Sequence, residues 1–243
     1  MAETLYGLPA VRHYEALQET QRKIIVLPDV LNNPASYQEL LQMLQSHGNV
    51  EYVQYPTDGF DSDSICLGLQ HQVDDAINNG QKVVFFGTSF GSRIILDYLA
   101  RYGDCGALEM IWMNGFLPSF HESTIEQKLL RIINIRRESL LIRLLNSDVG
   151  NTQLTEGTSA RIAHMTTSID PGKVQHPVCP VIFGFWENDV FDFSAHRSTW
   201  IESFPNRCVI QYRGIHGHTN THAGEIYPVF LNATPKNYLQ IVS

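Results

Sequence analysis

The stretch of sequence that decides the fold is Lys82-Val83-Val84-Phe85-Phe86-Gly87-Thr88-Ser89-Phe90-Gly91-Ser92. Its β-branched and aromatic run at 83–86 predicts a buried strand, which ends in the pattern G-x-S-x-G. Residues 94–100 then carry apolar side chains at helical spacing. A serine at the tip of a sharp strand-to-helix turn has a strained backbone, so its neighbours must lack bulk, as Gly87 and Gly91 do. The pattern indicates a nucleophile elbow, and the alternative is a glycine-flanked structural turn.

A serine nucleophile needs a base and an orienting acid, and candidates for both follow two further apolar runs. Residues 181–186 form a second buried-strand pattern, followed by the carboxylate-bearing loop 187–189. Residues 207–212 form a third, followed by the histidine-bearing segment 214–218. The acid and the base would then lie past the carboxyl ends of neighbouring strands, where ligands bind in open parallel sheets.

These motifs resemble those of the α/β-hydrolase superfamily, and the resemblance covers residues 11–239. It rests on Gly87-Thr88-Ser89-Phe90-Gly91, on Glu187-Asn188-Asp189-Val190 and on Gly217-His218. The resemblance implies an α/β-hydrolase fold, with a mostly parallel central sheet, helices on both faces and a helical lid insertion. It also implies that Ser89 is the nucleophile, Asp189 the acid that fixes the imidazole tautomer, and His218 the general base.

Each of the two partners of the serine has a rival nearby. Glu187 and Asp192 lie on the same loop as Asp189, and any of the three is alternatively a solvated carboxylate or a helix cap. His216 precedes His218 by two residues, so both would face the same side of an extended segment.

The oxyanion hole needs two preorganised N–H donors. The first is the backbone N–H of Phe90, directly after the serine. The second is expected from the loop 28–34, where Val30 or Asp29 could offer an N–H, and we assign it to Val30. Many relatives have His-Gly where this chain has Pro28-Asp29. The Asp29 carboxylate either opposes an oxyanion or turns away to accept local N–H groups.

Composition narrows the class of partner. The chain has 243 residues and a net charge of −8, which disfavours nucleic acid and anionic membranes as partners. The four cysteines show no metal-ligand spacing, so we expect no metal, and the serine chemistry expected from the motifs needs no cofactor. The first residues lack the pattern of a secretion signal, and a cytoplasmic location is expected.

The organisation predicted is one catalytic domain with an insertion. Residues 1–117 and 179–243 form the hydrolase core, and 118–178 form the lid. An apolar stripe within 125–145 suits a small-molecule substrate with an apolar acyl group. Residues 152–167 are rich in serine and threonine and predict a loop of the lid.

The predicted lid also carries a surplus of basic residues, namely Lys128, Arg131, Arg136, Arg137 and Arg143 against Glu126 and Glu138. Such a patch would steer an acyl carrier protein, a coenzyme A thioester or a free carboxylate, and the alternative is an ordinary solvated helix face.

The sequence favours a serine hydrolase that cleaves an ester or thioester through an acyl-enzyme. The same triad would serve a thioesterase or acyltransferase acting on a coenzyme A- or carrier-bound acyl group, or a carbon–carbon bond hydrolase. A non-catalytic ligand-binding protein with the hydrolase fold is the alternative from another class. The oligomeric state is left open.

Overall fold

A seven-stranded sheet is the centre of the structure, a computed structural model that describes residues 9–17, 20–115, 117–118, 156–165, 167–186 and 194–212. The strands are β1 (Ala10–Tyr14), β2 (Arg22–Leu27), β3 (Asn49–Gln54), β4 (Lys82–Thr88), β5 (Leu108–Asn114), β6 (Val181–Trp186) and β7 (Arg207–Tyr212). Their order is β1-β3-β2-β4-β5-β6-β7. Of these described strands, only β1 runs antiparallel to its neighbour, which confirms the predicted mostly parallel sheet.

The order of the strands reverses at β2, because β3 lies on one side of it and β4 on the other. At such a reversal, the loops that follow the two adjacent strands turn to opposite sides, which leaves a crevice between them. Open α/β sheets bind ligands in this crevice, at the carboxyl ends of the strands. Here that crevice opens beside the ends of β2 at Leu27 and β4 at Thr88.

Five helices are described: α1 (Gln38–Gln45), α2 (Ser62–Asn78), α3 (Phe90–Arg101), α4 (Glu156–Met165) and α5 (Ser194–Ser203). A 3₁₀ turn, Pro34–Tyr37, leads into α1. Asp61 caps α2, since its carboxylate accepts hydrogen bonds from the N–H groups of Asp63 and Ser64. None of these helices, within the described ranges, has the length and apolar character needed to cross a bilayer.

The core consists of two apolar layers, one on each face of the sheet. Alternate residues of β2 enter opposite layers: Ile25 and Leu27 pack with α2, α3 and α5, whereas Ile24 and Val26 pack with α1. This alternation follows from the two-residue period of a strand. Helices therefore cover both faces, as predicted.

One predicted loop is a helix. Residues 156–165 form α4, although the serine and threonine content of 152–167 favoured a lid loop. Its buried residues are Gly157, Thr158, Arg161 and Met165, a set with almost no apolar side chains, so hydrophobic periodicity did not reveal it. The remaining residues of the predicted lid, 119–155 and 166, lie outside the described residues. The domain boundaries at 117/118 and 178/179 stay predictions.

Candidate active site

Ser89 occupies the turn between β4 and α3 and has a strained backbone. Its φ of 52° and ψ of −108° are values that a residue with a side chain rarely adopts. The Ser89 N–H donates to the carbonyl of Asn114 at 2.7 Å, and the Ser89 carbonyl accepts from the N–H of Ser92 at 3.0 Å. Hydrogen bonds at both the N–H and the carbonyl of Ser89 therefore stabilise this backbone conformation.

The glycines on either side of Ser89 allow α3 to approach the sheet. A Cβ on Gly91 would lie 1.9 Å from the carbonyl oxygen of Leu27, and one on Gly87 would lie 2.8 Å from Ser92 N. Both contacts involve backbone atoms that cannot move aside. The expectation that these two positions must lack bulk is confirmed, and the reason at Gly91 is the packing of α3 against the end of β2.

Two backbone N–H groups are candidates for the oxyanion hole. Phe90 is the first residue of α3, where the N–H groups of the first turn have no acceptor within the helix and the helix dipole favours negative charge. Val30 lies on the loop after β2, and in the part of the chain that the structure describes its N–H makes no hydrogen bond. Leu27 is opposite Gly87 in the sheet, so this loop begins beside the elbow. The roles of Phe90 and Val30 stay predictions.

Asp29 is turned into its own loop. Its Oδ1 accepts hydrogen bonds from the N–H groups of Leu31 at 2.8 Å and Asn32 at 3.2 Å. Its own N–H donates to the hydroxyl of Tyr37 at 2.9 Å. Of the two alternatives expected for this carboxylate, the structure thus shows acceptance of local N–H groups. The Asp29 N–H is therefore committed within the loop, and the assignment of Val30 as the second donor stays a prediction.

Arg161 of α4 lies against the same loop. Its Nε donates to the carbonyl of Val30 at 2.9 Å, its Nη1 to the carbonyl of Pro56 at 2.8 Å, and its Nη2 to the hydroxyl of Thr158 at 2.9 Å. The guanidinium stacks over the ring of Tyr55, 5.6 Å from the centroid, and the residue is 3% exposed. Burial lowers the pKa of Arg161 from its ordinary value.

The end of α4 reaches the serine itself. Met165 Sδ lies 4.0 Å from Ser89 Oγ, and Ser89 is 5% exposed. One residue earlier, His164 Nε2 lies 2.6 Å from Asp97 Oδ2 on α3. The other carboxylate oxygen of Asp97 accepts from Arg93 Nε at 3.1 Å, and Arg93 also donates to the carbonyl and hydroxyl of Thr167.

These contacts attach α4 to the body through buried polar groups. Arg93 is 3% and Asp97 5% exposed, and burial lowers the pKa of the Arg93 guanidinium while the Asp97 carboxylate opposes that shift. Sequence reasoning missed Arg161, His164, Met165 and Asp97. The available signal was spacing, because Arg161 and Met165 are four apart and therefore share one face of a helix.

The predicted acid and base lie outside the described residues, together with their alternatives: Asp189, Glu187 and Asp192, and His218 and His216. The strands that precede them are described. β6 ends at Trp186 and β7 at Tyr212, which are partners in the parallel ladder. Both strands therefore end at the edge of the sheet that carries Ser89.

No protein-family model matches the sequence, and no curated protein sequence is significantly similar to it. Solved structures do resemble the chain. MenH from S. aureus has a TM-score of 0.66 at 15% identity, over 91% of this chain and 96% of that one. A marine microorganism esterase has a TM-score of 0.66 at 14% identity, over 94% and 100%.

A third similar structure is the type II thioesterase BorB from the borrelidin biosynthetic cluster, with a TM-score of 0.61 at 16% identity, over 90% and 94% of the two chains. Identities this low show a shared fold. Together with the parallel sheet and the strained serine turn after β4, they show that this chain has the fold of the α/β-hydrolase superfamily.

Proposed function

We propose that the protein is a serine hydrolase that cleaves an ester or thioester of a mainly apolar acyl substrate through an acyl-enzyme. The observation that carries this proposal is the backbone of Ser89, with φ of 52° at the switch point of the sheet. Such a conformation costs a non-glycine residue about 1–3 kcal/mol. A turn with only a structural role would adopt it more cheaply with glycine, so the presence of serine supports a chemical role.

The chemistry proposed is acyl transfer to Ser89 and then to water. Ser89 Oγ attacks the substrate carbonyl while His218 takes its proton, and Asp189 stabilises the resulting imidazolium. The N–H groups of Phe90 and Val30 stabilise the oxyanion of the tetrahedral intermediate. The leaving alcohol or thiol takes the proton from His218, and a water activated by the same histidine releases the acid.

The surroundings of Ser89 support an apolar acyl group. Met165 contacts its hydroxyl, and the ring of Phe90 packs edge to face against Tyr55 and Phe60, with centroids 5.2 and 5.3 Å away. Val30 packs against the same core layer. Apolar walls with a few convergent polar groups are typical of small-molecule sites.

The first experiment is labelling of the purified protein with a fluorophosphonate, followed by intact mass and peptide mapping, with Ser89→Ala as the control. We expect one adduct, on Ser89, and none in the variant, whose fold is verified by circular dichroism. Absence of an adduct from the folded wild-type protein would refute the proposal, as would an adduct on another residue.

The base is then assigned by separate substitution of His218 and His216 with alanine. We expect His218→Ala to lose about 10³-fold or more of its turnover of p-nitrophenyl esters, and His216→Ala to keep most of it. Full activity in the His218 variant would reverse the assignment. Acyl-coenzyme A substrates of the same chain lengths, assayed with the wild-type protein, compare thioester with ester cleavage.

A further inference from the structure

We propose that Arg161 is a positioning residue: it holds Val30 in place for the oxyanion and offsets the negative charge that Asp29 brings to the same loop. This inference rests on the proposed function, and it explains how a chain with Pro28-Asp29 after β2 can still form an oxyanion hole.

The geometry of the guanidinium is that of a clamp between two loops. Nε donates to the carbonyl of Val30, after β2, and Nη1 donates to the carbonyl of Pro56, after β3. A guanidinium is planar and presents its donors in a rigid fork, so two bonds to two loops fix their relative position. The Tyr55 hydroxyl, which donates to the carbonyl of Pro28 at 3.1 Å, adds a second tie at the start of the loop.

The helix that carries Arg161 is itself fixed at both ends. At its start, the Gly157 N–H donates to the carbonyl of Thr57 at 2.8 Å, and a Cβ at Gly157 would lie 2.5 Å from the carbonyl oxygen of Pro56. At its end, His164 is bound to Asp97. The clamp on Val30 is therefore anchored in a helix that cannot shift freely.

The positive charge of Arg161 lies beside the loop after β2, which carries the negative charge of Asp29. In the part of the chain that the structure describes, the guanidinium bonds only to uncharged oxygens and forms no salt bridge. Its Nε bonds the residue that directly follows Asp29, and in a buried site charges act on each other over longer distances than in water. Burial has the largest effect on the pKa of Arg161 and lowers it, while Tyr55 and then the Asp29 carboxylate raise it.

The consequence concerns the transition state more than substrate binding. A negative charge develops on the substrate oxygen only as Ser89 attacks, so a misplaced Val30 N–H or an uncompensated Asp29 lowers kcat. Arg161 is buried and bonds to Val30 through its carbonyl, so we expect its removal to leave KM comparatively unchanged.

The test is a double-mutant cycle of Arg161→Met and Asp29→Asn, read as kcat and KM on a p-nitrophenyl ester and as the rate of fluorophosphonate labelling. Asparagine keeps the Oδ1 that accepts the N–H groups of Leu31 and Asn32 but removes the charge. We expect Arg161→Met to lower kcat and the labelling rate about 10- to 100-fold, with KM changed less than about threefold. Asp29→Asn alone changes kcat less than about threefold, but in the Arg161→Met background it restores kcat about threefold or more.

Arg93→Met is the matched control, because Arg93 is equally buried and also ties the lid segment to the body, through Thr167, without touching Val30. We expect it to lower the free energy of unfolding at least as much as Arg161→Met, because it also leaves the buried Asp97 carboxylate without its cation, while kcat stays within about threefold of wild type. Arg161→Lys, which keeps the charge but loses the fork, serves if Arg161→Met does not fold, and it should fall between wild type and the methionine variant.

The inference is overturned if Arg93→Met and Arg161→Met lower kcat equally, if Arg161→Lys matches wild type, or if Asp29→Asn restores nothing in the Arg161→Met background. Labelling of the wild-type protein separates this failure from that of the proposed function. A labelled Ser89 with no effect of Arg161 refutes the clamp alone, whereas an unlabelled wild-type serine refutes the hydrolase and the clamp with it.

Discussion

Replacement of Asp97 by alanine should destabilise the protein strongly, because two cationic or polar partners meet its buried carboxylate. The Asp97 side chain is 7% exposed and that of Arg93 is 3% exposed. Removal of one partner of a buried ion pair costs about 3–5 kcal/mol, since the other charge is left uncompensated. Arg93 keeps its two bonds to Thr167, so we expect the lower end, about 3 kcal/mol.

The assay is urea unfolding followed by far-ultraviolet circular dichroism. With a slope of about 3 kcal/mol per molar urea, a loss of about 3 kcal/mol lowers the midpoint by about 1 M. The control is Glu109→Ala, which removes an equally direct bond to Arg22, but between side chains that are 36% and 29% exposed. An exposed pair contributes at most about 1 kcal/mol, a shift of about 0.3 M or less.

The comparison of Asp97→Ala with Glu109→Ala tests whether burial makes the ion pair of Asp97 more important for stability. If Asp97→Ala lowers the urea midpoint no more than Glu109→Ala does, burial does not increase the contribution of the Arg93–Asp97–His164 cluster to the free energy of unfolding. Other contacts would then attach α4 to the body. If both variants lower the midpoint by about 1 M, the more exposed Arg22–Glu109 pair contributes more to the free energy of unfolding than expected for a pair screened by water.

Two further predictions concern stability. Gly91→Ala should lower the free energy of unfolding in urea by about 3 kcal/mol or more, because the new Cβ would lie 1.9 Å from the carbonyl oxygen of Leu27. The control, Gly172→Ala, has its nearest contact at 3.3 Å and should cost less than half as much. Equal losses in the two variants would contradict this prediction. Burial raises the pKa of Cys66 to about 12 from an ordinary 9.0, so the unfolded thiol ionises first and stability falls as the pH rises above 9. Cys66→Ala should reduce that fall by up to about 1.4 kcal/mol per pH unit between pH 9 and 12, and an unchanged slope would refute the assignment.

The sheet could be predicted from the sequence because its strands are buried on both faces. Runs such as 23–27 and 83–86 are almost continuously apolar, and this pattern is typical of parallel strands covered by helices. The helix α5 gave no comparable signal. Of the side chains described in α5, only Trp200 is fully buried, so the apolar period that reveals a helix is absent.

Part of the candidate site could likewise be predicted from the sequence, and part could not. The elbow is a local motif, so Ser89, Phe90 and the two glycines could be found within five consecutive residues. Arg161 and Val30 are 131 positions apart, and His164 and Asp97 are 67 apart. Contacts across such distances depend on how the helices pack, and one sequence without its fold does not contain that information in a readable pattern.

On the proposed function, the position of Met165 has a consequence for how acyl chains are selected. Because its thioether already contacts Ser89 Oγ, an acyl group that enters at this point would replace one apolar group by another and would not drive water from an empty cavity. The displaced side chain loses burial as the acyl group gains it, so lengthening the chain adds less binding free energy per methylene than the usual 0.8 kcal/mol or so. Discrimination among acyl groups should then follow their shape and branching, to which an unbranched, flexible methionine can adapt, more than their hydrophobicity.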